Sequence, residues 1–168
     1  MLLYTPAYDP YHCSFRILSI LIEIYPAPLE KEKLSILDAY LAIPALLNEL
    51  KCPQSLIRKR NKVRPKPSPY NQYYDAQKLF EKISRIQDSV LRNLASINLI
   101  SLEKLHDNIV LLNIEKIEDT LQEAIDSTHS IKPDIFEFLT HDLSTIDLLG
   151  PTGLKKRSGL MEYRYDLS

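Results

Sequence analysis

The residues able to do chemistry are few and scattered. His12 and Cys13 are two soft donors side by side. Adjacent residues on a helix diverge by about 100°, so the pair points to a partly buried cap region and not to a shared metal. His106 and Asp107 have the order of a general base and its orienting carboxylate. No nucleophile or oxyanion device accompanies them, and a solvated loop is the expected setting. His129 and His141 lack metal spacing and are expected at the surface. Glu118 and Asp119 suit the start of a helix, where carboxylates favour the positive dipole end. The cysteines, Cys13 and Cys52, stand alone without C-x-x-C spacing, and two free thiols fit a reducing cytosol. The expectation is a protein that is not an enzyme and holds no metal or cofactor.

The elements that position these residues carry almost no glycine. All three glycines of the 168-residue chain are at 150, 153 and 159. A phosphate-cradling loop, a dinucleotide fingerprint and a nucleophile elbow all need glycine for close backbone approach, so none can precede Gly150. With 45% apolar and 26% charged residues, the chain fits one domain. A net charge of -1 rules out a polycation that coats nucleic acid or membrane. The N-terminus lacks a basic n-region and cleavage site. The longest apolar stretch, 15–25, is broken by Arg16, Ser19 and Glu23 and falls short of the roughly 20 residues needed to span a bilayer. A soluble cytoplasmic protein is expected.

Asp9 and Pro10 predict a helix start, with the helix running to Tyr25 before Pro26. Its polar residues Arg16, Ser19 and Glu23 fall on one narrow stripe, and so apolar a helix belongs in the middle of the fold. A second helix is expected over 30–43 and a third pattern over 75–97, capped by Asp75. Segments 98–101 and 108–112 read as strands around a polar loop. Helix, strand, loop and strand make the end of a winged helix, with a turn at 84–86 separating a first helix from the one in the recognition position. Further helices are expected over 117–128 and 133–149. The fold class is therefore mainly α: a single winged-helix-like domain over 1–150 with a small β-hairpin, and a tail over 151–168.

Charge is distributed unevenly. Lys51, Arg58, Lys59, Arg60, Lys62, Arg64 and Lys66 form a basic run without an acidic residue, followed by Pro65, Pro67, Pro69, Tyr70, Tyr73 and Tyr74. Proline- and charge-rich sequence of this kind, spanning 51–74, reads as an extended loop preceded by a short helix over 54–60. It can contact DNA phosphates, with tyrosines stacking on exposed bases, or serve as a linker or docking strip for an acidic partner protein. In the recognition position Gln87, Ser89, Arg92 and Asn93 can meet base edges. The loop 102–108, however, carries Glu103 and Asp107 against Lys104, which suits a winged helix that binds protein. In the tail, Lys155, Lys156, Arg157, Tyr163 and Arg164 stand among apolar Leu154, Leu160 and Met161. This segment is expected to order on a partner, or to dock on its own domain as an edge strand.

The opening YDPYHCSFRILSIL (8–21), the block KLSILDAYLAIPALL (33–47), the stretch LFEKISRIQDSVLRNLASINLI (79–100) and the ending GLKKRSGLMEYRYD (153–166) resemble the middle component of bacterial ABC-three-component systems, the Lamassu-type defence operons. The resemblance implies a non-catalytic scaffold in anti-phage or anti-plasmid immunity. Such a subunit bridges a Rad50/SMC-like ATPase and an effector, often a nuclease, and helps keep the effector silent until foreign DNA is sensed. It places partner contacts at the basic strip, the wing and the tail, with double-stranded DNA possible within the complex. The alternative is a stand-alone winged-helix DNA-binding regulator.

Overall fold

The computed structural model describes residues 5–68, 75–128 and 131–162. Asp9 starts helix α1 (Pro10–Ile24): its carboxylate accepts from the N–H groups of Tyr11 at 2.7 Å and His12 at 3.3 Å. Strand β1 (Leu29–Glu30) leads directly into α2 (Lys31–Ala42), after which Pro44 restarts the chain as a 3-10 turn, Pro44–Asn48. The basic run forms a 3-10 turn, Gln54–Leu56, and helix α3 (Ile57–Val63).

Helix α4 (Ala76–Ser96) is capped by Asp75, which accepts from Lys78 N–H at 3.2 Å. It is continuous, so the turn expected at 84–86 does not exist. Neither glycine nor proline interrupts it, and Ser84 Oγ donates to the Glu81 carbonyl inside the helix. Ile83, Gln87, Val90, Leu91 and Leu94 bury one uninterrupted face.

The expected hairpin is present in reduced form. Ile100 and Leu112 make an isolated antiparallel bridge, flanked by Ser101 N–H donating to Leu111 and Asn113 N–H donating to Leu99, both at 3.0 Å. The polar loop between them is helix α5 (Leu102–His106), whose cap Ser101 accepts from Lys104 N–H. Asn98 and Asn108 turn the corners at φ 61° and 59°, a region that asparagine tolerates better than most residues. Strand β2 (Ile109–Val110) then pairs antiparallel with β1, Leu29 opposite Val110 and Glu30 opposite Ile109.

Helix α6 (Asp119–Asp126) is shorter than its periodicity suggests. The single helix expected over 133–149 is instead α7 (Pro133–Glu137), a π-turn (Phe138–Asp142) and a 3-10 turn (Leu143–Thr145). Three hydroxyls compete for its carbonyls: Thr140 donates to Phe136, Ser144 to Thr140 and Thr145 to Asp142. Such back-bonding bends helices. The chain then docks helix α8 (Leu154–Ser158) on the same core, with Leu154 and Leu160 buried. Docking is helical and not by an edge strand. Gly153 is required there, because a Cβ would lie 2.2 Å from the Leu149 carbonyl oxygen. Gly159 ends α8 in the left-handed region, a common helix stop.

The core lies among α1, α2 and α4, where Ile17, Ile20, Leu34, Leu37, Ile83 and Leu91 are essentially inaccessible. An ion pair sits within it. Arg16, which the sequence pattern puts on a polar stripe, is only 4% exposed, and Asp38 is fully buried. Arg16 Nε donates to Asp38 Oδ1 at 2.6 Å and Nη2 to Oδ2 at 3.2 Å. Gln87 Nε2 donates to Asp38 Oδ2 at 2.7 Å and to the Ser35 carbonyl at 3.0 Å. A buried charge stripped of its partner is strongly destabilising, by about 3–5 kcal/mol. Asp38→Ala should therefore lower the thermal midpoint by about 10 °C, and pairing Asp38→Leu with Arg16→Met should recover part of that loss in the same melt.

Candidate functional site

The chemistry-bearing side chains are held apart. Cys13 is buried with its Sγ 3.8 Å from Asp38 Oδ2. Burial first, and the Asp38 charge second, push its thiol well above the ordinary range, so it does not supply a thiolate near neutral pH. Burial also raises the half-exposed Cys52 thiol. His141 Nε2 meets Glu23 Oε1 at 2.7 Å on the surface between the π-turn and α1. His106 is exposed at the end of α5, with Asp107 as its C-cap. His129 lies outside the described residues. Among the described residues, no group of three or more His, Cys, Asp and Glu side chains could hold a metal ion.

The basic strip divides by role. Arg60 Nη1 donates to the carbonyls of Leu47, Asn48 and Leu50, each at 3.4 Å, and so closes the turn that follows α2. Lys59 Nζ pairs with Asp142 Oδ1 at 2.6 Å, tying α3 to the π-turn. Arg58, Lys62 and Lys66 are exposed and Arg64 is half-buried. In the tail, Lys155 is buried along its stem and reaches Glu32 at 3.1 Å. Arg157 donates to the carbonyls of Lys51 at 3.0 Å and Thr152 at 2.6 Å, while Lys156 is exposed. Arg60 and Arg157 thus hold the same segment, 47–51, from two distant parts of the chain. On α4, Arg92, Ser89 and Asn93 are exposed, but Gln87 is fully buried on Asp38 and cannot meet a base. Tyr70, Tyr73, Tyr163 and Arg164 lie outside the described residues.

One groove was not anticipated from the sequence. A groove of about 690 Å³ runs between the start of α2, the N-terminal half of α4, the β2 end of the small sheet and the segment after α8. Its apolar lining comes from Phe80, Ile109, Leu148, Leu160 and Met161, and its rim carries Glu30, Glu32, Glu81, Asp88, Asp107 and Glu162. Among the described lining residues Lys31 is the one cation, and it pairs with Asp88 at 2.8 Å. A local signal was available in Glu81 and Asp88, which are seven apart and therefore share a helix face. The other wall residues come from segments far apart in sequence.

The described residues thus form a mainly helical chain with one small antiparallel sheet, a groove beside α4 and a basic segment. The chain belongs to the middle components of ABC-three-component systems. A family model for the ABC-three component (ABC-3C) system Middle Component 5 matches residues 2–166. No curated protein and no solved structure matches the chain.

Two outcomes are expected from this geometry. Arg60→Ala, which leaves three carbonyls without their shared donor, should cost about 1–3 kcal/mol in a denaturant melt, whereas exposed Arg58→Ala should stay within about 0.5 kcal/mol. In the folded protein at pH 8, iodoacetamide should leave Cys13 unmodified by intact-mass and peptide analysis, and alkylation should require denaturant.

Proposed function

We propose that this chain is a non-catalytic scaffold of a Lamassu-type anti-phage or anti-plasmid complex in the bacterial cytoplasm, where it bridges a Rad50/SMC-like ATPase and an effector nuclease and helps to restrain the effector. The observation that carries this reading is the family match over residues 2–166. It is supported by charged and apolar surfaces that suit protein partners. Among the described residues no helix is long and apolar enough to cross a membrane.

The winged-helix reading belongs with it. What supports it is segment 109–112, which meets both β1 and Ile100 after the helices α1, α2, α3 and α4; in this reading α3 is an insertion between the two helices ahead of the hairpin. Helix α5 stands where the wing loop is expected. One observation favours the second reading, a DNA-binding regulator: Lys78, Lys82, Arg85, Ser89 and Arg92 step along the exposed face of α4 at three- and four-residue spacing. The acidic groove flanking the same helix weighs against close approach of phosphates.

Co-expression of the tagged chain with the products of its flanking genes, followed by size-exclusion chromatography and mass spectrometry, separates the two. Co-elution with a large coiled-coil ATPase is the expected result. Elution alone, with duplex binding that falls steeply as salt rises, would replace the scaffold by the regulator.

A further inference from the structure

We infer that helix α3 and the residues just after it receive an acidic peptide segment from another subunit of the same system, held by the cations that the domain leaves free. The inference rests on the scaffold reading and specifies how one partner is held. Residues 51–68 contain seven cations and no carboxylate. Two of the seven fasten the helix to the domain: Arg60 holds the carbonyls of Leu47, Asn48 and Leu50, and Lys59 holds Asp142. The side chains of Arg58, Lys62, Arg64 and Lys66 make no hydrogen bond or ion pair among the described residues. Lys62 shares a shallow hollow with Asp134 and Glu137 of α7 and pairs with neither, whereas Arg58 and Lys66 carry exposed charge outside that hollow.

The free cations stand on a support that the bound ones fix. Arg58 and Lys62 are one helical turn apart on one face of α3. Arg64 and Lys66 continue beyond the helix on chain that Arg64 turns to an extended conformation, φ -64° and ψ 143°. A cationic platform already held in place loses little conformational freedom when a ligand binds. A guanidinium can meet a carboxylate through two parallel hydrogen bonds, which gives Arg58 and Arg64 geometric selectivity as well as charge. Two observations favour a peptide over a nucleic acid. Ile57 is exposed beside Arg58 and offers an apolar contact that a phosphate backbone does not use. Asp134 and Glu137 are exposed next to Lys62, where they would repel the long, evenly charged rod of a duplex but not a short segment seated on Arg58, Arg64 and Lys66.

The test uses the full chain with overlapping short peptides spanning the sequences of the co-encoded subunits, and with a duplex of arbitrary sequence, each followed by fluorescence anisotropy at low and high salt. Bound peptides should be net negative and should weaken as salt rises. Arg58→Glu and Lys66→Glu, both at exposed side chains, should weaken them together by about tenfold or more, which is ~1.4 kcal/mol. Lys104→Glu, which makes the same charge change at an exposed position on α5, should leave binding unchanged, and circular dichroism melts should coincide for all three variants. Bound peptides that are neutral or basic, or that ignore the reversals on the α3 strip, overturn the inference. So does a duplex that binds the chain more tightly than every peptide and is released by the same reversals, because a nucleic acid is then the occupant. Self-association that the reversals abolish overturns it too, with a second copy as the occupant. If the complex assembles but no acidic peptide binds, the α3 inference falls and the scaffold stands; if no complex assembles, both fall.

Discussion

Everything else in the fold is arranged around the Arg16–Asp38 pair. Two opposite charges have been taken out of water where α1 packs on α2, and they are tolerated there because both carboxylate oxygens of Asp38 are hydrogen-bonded. The guanidinium grips both carboxylate oxygens, and Gln87 comes from α4 to donate a third hydrogen bond. One carboxylate therefore sets the rotation of three helices at once. A slip of either neighbour by one residue would leave a buried charge unmatched, a far larger penalty than an imperfect apolar contact. This is also the physical sense of an unbroken α4: a turn at 84–86 would carry Gln87 away from Asp38 and open the face that Ile83, Val90 and Leu94 present to the core.

Outside that centre the fold is held by short devices. The sheet is two residues wide on each side and is not a stable unit alone; it is kept by α2, which β1 enters without a break, and by the left-handed asparagines that aim 98–113 back over it. The turn after α2 is closed by two arginines, one from α3 and one from α8. Lys59 and Arg60 of the basic strip, and Lys155 and Arg157 of the tail, are therefore already engaged within the domain, while Arg58, Lys62, Lys66 and Lys156 stay exposed.

Periodicity and capping chemistry made α1, α2 and α4 legible: Asp9 and Asp75 do cap, and Leu34, Leu37 and Tyr40 are buried as their spacing implies. What remained hidden depends on partners far along the chain. Arg16 looks like a solvated residue until Asp38, 22 positions on, supplies a reason to bury it. The breakdown of the 133–149 helix comes from hydroxyls that choose local carbonyls, which apolar spacing does not report. The groove could not be read at all as a unit, because its walls are assembled from the start of α2, α4, the small sheet and the segment beyond α8. Middle-component membership was visible in four blocks of pattern spread over the sequence, and the family match covers the same span.

The docking of α8 has a consequence for the order of events during synthesis. A chain emerges from the ribosome N-terminus first, and α1, α2 and α4 are available to pack long before Leu154 and Leu160 exist. Until those two leucines arrive, the core they complete presents its apolar side to water and the clasp on segment 47–51 lacks Arg157. The closing of this core is thus a late event in synthesis, because it waits on Leu154, Leu160 and Arg157.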